Sequence, residues 1–154
     1  MFDKLFRKMK SADAPANNET NELALAFAAL MVETARIDQH YGDDEAAIID
    51  RALTNKFNMT ASEAAALRAE AETAQETAFD IQRFTKIAKS MPQEDKIALI
   101  EELWEIVLSD GVKDSYEDTL IRKICGLVYV DDQDSGAARN RVAAKIAQKN
   151  EPMR

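Results

Sequence analysis

Cysteine, histidine, glycine and proline are all scarce in this sequence. One cysteine and one histidine occur among 154 residues, which excludes a disulfide within the chain and any site built from several histidines. The four glycines and three prolines are too few for the many tight turns of a β-sandwich or barrel. No apolar run approaches the roughly 20 residues of a membrane-spanning helix. These absences predict an all-α protein, and the single cysteine favours a reducing, cytoplasmic location.

Positive charge is also in deficit, with 20 basic residues against 28 acidic ones and a net charge of −8. We expect no nucleic-acid binding, because contacts to phosphates require a basic face. Residues 1–10 and 139–149 are locally basic, but neither segment interleaves aromatic residues that would stack on bases. The acidity fits a bound cation or a basic protein partner, and equally a surface that only keeps the protein in solution.

The first twenty residues differ in composition from the rest. Residues 1–10 carry Phe2, Leu5, Phe6 and Met9 at helical spacing opposite basic residues, which is typical of a short amphipathic segment. Such a segment either contacts an anionic membrane at its inner face or docks on the body of the protein. Residues 11–20 are small and polar, and we interpret them as a linker. The folded domain is then expected over residues 21–150.

Apolar residues recur at a spacing near 3.6 throughout that domain, which predicts a bundle of about seven to eight helices. Thr60 and Glu63 form a capping-box signature, and Pro92 followed by acids is typical of a helix start. Asp110-Gly111 indicates a helix end. The last helix, starting between Asp131 and Asp134, is expected to be short. The Ala-rich run at residues 61–78 either packs closely or remains a solvated charged face, and its composition favours the second.

An internal repeat is the most informative feature of the sequence. A shift of 72 residues aligns the acids and apolar residues of residues 21–75 with those of residues 92–148. After a slip of one residue, residues 57–60 align with residues 128–131. The repeat predicts two pseudo-symmetric helical-hairpin halves that bury their apolar faces against each other. The aligned pairs are Glu33 with Glu105, Asp38 with Asp110, Glu45 with Glu117, Ile48-Ile49 with Leu120-Ile121, and Arg51 with Lys123.

The second copy of the repeat contains the clearest candidate metal site. Asp110, Asp114 and Glu117 are spaced 0, +4 and +7 across a helix–turn–helix junction. Their carboxylates suit a hard divalent cation such as Ca²⁺, Mg²⁺ or Mn²⁺, with Zn²⁺ a poorer fit. The spacing is not that of an EF-hand loop. The same residues are also ordinary helix caps, so capping without metal remains the alternative.

The first copy is less complete. Asp38 and Glu45 keep their positions, but Gly42 stands at the middle acidic position. His40 lies in the same loop and is either an added ligand or a solvated side chain.

Three stretches of the chain resemble the TerB-like family, which is associated with tellurite resistance. The matching stretches are residues 31–38 with Glu45 and Ile48-Ile49, residues 84–86, and residues 103–124. The resemblance extends over roughly residues 21–148. Its most specific element is the Asp-Gly-x-x-Asp-x-x-Glu pattern at residues 110–117.

The resemblance implies an all-helical bundle of two pseudo-symmetric halves, with roles in stress responses and membrane-associated complexes. It also implies metal binding through acidic residues at helix ends. By position, the implied metal-site residues are Asp38, Glu45, Asp110, Asp114 and Glu117, with Glu33 and Glu105 as neighbours. Gly42 departs from the acidic pattern of the family, and Tyr129 stands where a glycine often closes the helix.

Nothing in the sequence indicates catalysis. Cys125 lies on an apolar helical stripe, where cysteine is usually an inert core residue. Carboxylate pairs such as Glu101-Glu102 are common on helical surfaces, and Trp104 is expected in the core. We therefore expect a non-catalytic TerB-like stress-response or interaction module that binds a divalent cation and a protein partner. The alternative is a metal-free adaptor that recruits a partner at a membrane or chaperone complex. The sequence does not fix the oligomeric state.

Overall fold

The computed structural model describes residues 14–37, 41–77, 81–109 and 115–150. These residues form seven α-helices and contain no strand, which confirms the predicted all-α class. The helices are α1 Ala14–Arg36, α2 Asp43–Phe57, α3 Ala61–Thr77, α4 Gln82–Ala88, α5 Gln93–Ser109, α6 Ser115–Val128 and α7 Asp132–Asn150.

Helix α1 is the centre of the bundle and packs against α2, α3, α4, α5 and α6. Ala24, Ala28 and Ala29 are fully buried, so neighbouring helices can approach the α1 backbone closely. Leu30 is also fully buried, and Phe27 meets Phe57 of α2 edge-to-face with ring centroids 5.4 Å apart. Because α1 touches helices of both halves, it joins them into one apolar core.

Helix α3 packs closely despite its lack of large apolar residues. Ala64 and Ala71 are fully buried, and α3 has the most extensive contacts that α1 makes in the described chain. The expectation of a mainly solvated Ala-rich helix was therefore wrong. Small side chains on both helices let α1 and α3 approach closely. Dispersion contacts between them then stabilise the pair in place of large buried side chains.

Several predicted helix ends are confirmed. At the start of α3, the amide of Thr60 donates to Glu63 Oε1 at 2.9 Å, and the amide of Glu63 donates to Thr60 Oγ1 at 3.1 Å. Together the two bonds make a complete capping box. Helix α5 begins directly after Pro92, as predicted, and extends to Ser109, the last described residue before the gap at residues 110–114.

Three expectations differ from the structure. Helix α1 begins at Ala14, so residues 14–20, interpreted as a linker, are helical; Pro15 fits because an amide in the first turn has no helical partner. Helix α7 has 19 residues and is not short, because alanine, lysine and glutamine favour helix although few of its side chains are large and apolar. The apolar spacing that runs through Leu23, Phe27 and Leu30 predicts Ile37 on the same stripe, but Ile37 is exposed just beyond the end of α1.

The ends of α2 and α6 show the repeat directly. Asn58 follows α2 with φ 56°, and Tyr129 follows α6 with φ 65°, so each helix ends with a left-handed residue. The next residues, Met59 and Val130, are both buried. Each is followed by one residue and then by a further helix, α3 or α7. This matches the sequence alignment of residues 57–60 with residues 128–131.

Candidate functional site

The predicted metal-site residues lie mostly beyond what the structure describes. Asp38, Asp110 and Asp114 are outside the described residues, as is His40. Glu117 lies in the first turn of α6, where only the backbone is described. Among the described side chains, no group of three or more His, Cys, Asp or Glu residues is arranged to hold a metal ion.

Glu45 is the one predicted ligand whose side chain is described, and it caps a helix. It lies in the first turn of α2 and is only 7% exposed. Its Oε1 atom accepts a hydrogen bond of 2.8 Å from the amide of Gly42. A carboxylate at this position pairs with an otherwise unpaired amide and is attracted to the positive end of the helix dipole. Gly42 has no side chain to complete the reciprocal half of the capping box.

Glu33, predicted as a neighbour of the first junction, belongs to a network between α1 and α3. Its Oε2 accepts from Gln75 Nε2, and Gln75 Oε1 accepts from Arg36 Nη1. Arg36 Nη1 also donates to the backbone oxygen of Glu72 at 3.1 Å. These bonds fix Glu33 and Arg36 on the last turns of α1, beside the loop that leads to α2.

The same network reaches Tyr41, which lies just before α2. The hydroxyl of Tyr41 donates to Glu72 Oε2, and Arg36 lies over the Tyr41 ring at 5.3 Å. Burial, followed by the bond to Glu72, raises the pKa of Tyr41 to about 12. Arg68 donates from Nη1 to Glu72 Oε2 at 3.0 Å and from Nε to Oδ1 of Asp50 on α2 at 2.7 Å. The first junction is therefore stabilised by paired charges, and Tyr41 remains a protonated donor.

The corresponding region of the second half lies on α5 and contains a buried carboxylate. Glu105, the equivalent of Glu33, forms an ion pair with Arg51 of α2, and Glu101 forms one with Arg141 of α7 at 2.6 Å. Glu102 lies between them, and its Oε2 atom is buried without a hydrogen-bond partner. Burial, reinforced by the charge of Glu105, raises the pKa of Glu102 to about 7.

Glu102 is the residue that the sequence interpretation overlooked. The sequence pattern predicts that Glu101 and Glu102 are an ordinary surface pair, but Glu102 carries a buried oxygen without a hydrogen-bond partner. The repeat contains the missing signal, because the shift of 72 residues places Glu102 on Leu30, which is fully buried. An acid at the position of a core leucine indicates a desolvated charge.

Cys125 and Trp104 both lie in the core, as expected. Cys125 is 1% exposed, and burial raises the pKa of its thiol, so the thiolate required of a nucleophile is disfavoured. Trp104 Nε1 donates to Ser135 Oγ at 3.1 Å, which satisfies two buried polar groups between α5 and α7.

A comparison with known protein families identifies the family of this helical bundle. The family model described as "Tellurite resistance protein TerB" matches residues 24–140, which is most of the chain. The protein therefore belongs to the TerB family. Neither the curated proteins nor the solved structures contain a match to the chain. No helix in the described ranges is long and apolar enough to cross a membrane.

Proposed function

We propose that this TerB-family protein is a non-catalytic binding module whose α5–α6 junction holds a divalent cation. The ligands would be Asp110, Asp114 and Glu117, whose carboxylates suit Ca²⁺, Mg²⁺ or Mn²⁺. The observation that carries the proposal is the repeat of the helix–junction–helix unit, whose second copy alone has acids at all three positions. Helix α5 ends at Ser109 and α6 begins at Ser115, so the motif spans two helix ends.

The first junction supports placing the cation in the second half. Glu45 accepts the amide of Gly42 in the described structure, so one of its oxygens is already engaged in capping. Gly42 also replaces the middle acid of the motif. We therefore propose Asp38 and Glu45 only as a weaker, secondary site.

The proposed absence of catalysis is supported by the described side chains. Cys125 is buried with a raised thiol pKa, and the carboxylates of Glu101 and Glu105 are engaged in ion pairs. The family's association with tellurite resistance suggests a role in the response to tellurite or a related stress. In that role the module would act by binding a protein partner.

Thermal unfolding of metal-stripped protein tests the cation site. A ligand that binds only the folded state stabilises it by about 2.7 kcal/mol at one hundred times its Kd. We expect Ca²⁺, Mg²⁺ or Mn²⁺ at millimolar concentration to raise the unfolding midpoint, and the rise to vanish in Asp114→Ala. Asp134→Ala, an exposed first-turn acid of α7, is the matched control and should keep the full rise.

Two results would overturn the cation proposal. The first is the absence of a shift with any ion, which would leave the acids as helix caps and favour the metal-free adaptor. The second is an equal shift in wild type and Asp114→Ala, which would place the bound ion elsewhere. For the adaptor, deletion of residues 1–10 should abolish sedimentation with anionic liposomes if that segment contacts the membrane.

A further inference from the structure

A basic surface is formed where α4 packs against α6. Helix α4, the residue that follows it, and residues 119–128 of α6 contain five cations and no acid in a chain of net charge −8. All five side chains are exposed. The cations are Arg83, Lys86, Lys89, Arg122 and Lys123. Charge of one sign is therefore concentrated on one part of an acidic protein.

Several cations elsewhere in the described chain are held in ion pairs. Arg36, Arg51, Lys56, Arg68 and Arg141 each form an ion pair with an acid on another helix or turn. None of the five cations of α4 and α6 forms an ion pair with a described residue. Because all five side chains are exposed, their positive charge can attract an external anionic group.

Tyr129 adds an exposed aromatic ring to this surface. It is 64% exposed, and the Nζ atom of Lys89 lies 4.7 Å from the centre of its ring. Its backbone is left-handed, a conformation that favours glycine or asparagine over tyrosine. The buried side chains of Val128 and Val130 on either side hold the residue in place. Helix termination therefore does not explain why a tyrosine occupies this position.

Gly126 lies on the same face of α6 as Arg122, four residues away. It is exposed, and a Cβ atom built on it would meet no atom within 4 Å. Alanine would fit there and would favour the helix. The bare backbone between Arg122 and Tyr129 instead leaves room for another chain to approach closely.

We propose that Lys86, Lys89, Arg122, Gly126 and Tyr129 form a docking surface for an acidic segment of a partner protein. Exposed cations attract the carboxylates of the segment, Tyr129 supplies the kind of aromatic anchor that is enriched at protein interfaces, and Gly126 admits its backbone. Asp131 and Asp132 follow Tyr129 in the chain and bound the surface on that side by repelling acids. The surface uses the second half of α6, whereas the proposed cation site lies at the α5–α6 junction and includes Glu117 in the first turn of α6, so the two are tested separately.

Binding of a fluorescein-labelled oligoglutamate peptide to the full chain, followed by anisotropy at low salt, tests the proposal. We expect saturable binding that weakens with added salt and is absent for oligoglutamine. Arg122→Glu should weaken it by about tenfold or more. Lys149→Glu, on the last turn of α7, makes the same change in net charge and should leave affinity nearly unchanged.

A pair of glycine substitutions separates docking from folding. Gly126→Gln should raise the unfolding midpoint by improving the helix, yet weaken peptide binding by filling the exposed backbone. Gly136→Gln in α7, where a Cβ also meets no atom within 4 Å, should raise the midpoint without affecting binding. Equal peptide affinity in wild type, Arg122→Glu and Gly126→Gln would overturn the proposal. Sedimentation with phosphatidylserine vesicles that depends on Arg122, without peptide binding, would also overturn it and assign the surface to a membrane.

Discussion

Gly42 leaves the start of α2 half-capped, because it has no side chain to accept an amide of the first turn, while the side chain of Glu45 accepts the amide of Gly42. Its φ of −139° is extended, and an added Cβ would lie 3.6 Å from Glu45 Oε1, an ordinary contact. Serine therefore fits and would complete the capping box. We expect Gly42→Ser to stabilise the protein by a few tenths of a kcal/mol, measured by denaturant unfolding.

The complete capping box of α3 provides the reverse test. Thr60→Ala removes the oxygen that accepts the amide of Glu63, and we expect a loss of about 1 kcal/mol. If Gly42→Ser has no effect while Thr60→Ala destabilises, the start of α2 is satisfied without a side-chain cap, and our description of that helix end is wrong.

Glu102 should make stability depend on pH. Its folded pKa of about 7 lies above the ordinary value of 4.5, so between these values the folded protein keeps a proton that the unfolded chain releases. The free energy of unfolding contributed by this group therefore falls as pH rises from 4.5 to 7 and stays low above 7. We expect Glu102→Leu, which copies Leu30 of the first half, to be about 1–3 kcal/mol more stable near pH 8.

Chemical unfolding of wild type and Glu102→Leu at several pH values measures this effect. The difference in unfolding free energy should shrink as pH falls toward 5, because protonated Glu102 no longer carries a buried charge. Glu94→Leu, at an exposed position of α5, is the control and should show no such trend. A constant difference across the pH range would mean that Glu102 is solvated and titrates normally.

Single residues were predicted well where their role is local and poorly where it depends on packing. The capping pair at Thr60 and Glu63 and the core position of Trp104 follow from the sequence pattern alone. Glu45 was predicted as a ligand from its position in the repeat, and in the structure its side chain caps α2. A carboxylate near a helix start serves either purpose. The burial of Glu102 depends on α2 and α7, which approach α5 only in the folded protein, so its local sequence does not reveal it.

At the level of helices, the ends of α2 and α6 differ in how well their residues suit a left-handed backbone. Asparagine adopts this backbone at little cost, whereas for the tyrosine at position 129 it is strained. We expect Tyr129→Gly to stabilise the protein by about 1 kcal/mol and Asn58→Gly to change stability much less. Thermal unfolding checks both. A loss of stability in Tyr129→Gly would show that the contact with Lys89 outweighs the backbone cost.

Helix positions could be predicted because apolar spacing and end signals agree over most of the chain. The predictions failed for two helices, α3 and α7, whose stability does not come from a stripe of large apolar side chains. Helix α3 buries alanines against the alanines of α1, and that fit is invisible in α3 taken alone. Helix α7 extends to Asn150 although its last turns are largely exposed. The residues beyond its last apolar side chains still have high helix propensity.

For the whole molecule, the central position of α1 decides how the two halves unfold. Helix α1 packs against α2 and α3 and also against α5 and α6. Neither half keeps its buried surface if the other unfolds, since both cover the same helix. The proposed cation site at the α5–α6 junction and the proposed docking surface on α4 and α6 therefore share one stability with the capped junction of the first half.

Leu53→Ala tests this cooperativity from one half to the other. Leu53 is fully buried in α2, and its truncation should cost about 2–5 kcal/mol. Trp104, the only tryptophan, lies in α5 of the second half, so its fluorescence reports unfolding far along the chain from the substitution. We expect fluorescence and circular dichroism to show the same lowered midpoint. A fluorescence midpoint that stays at the wild-type value while circular dichroism shifts would mean that the halves unfold independently, because the disturbance in the first half would then fail to reach α5 through α1.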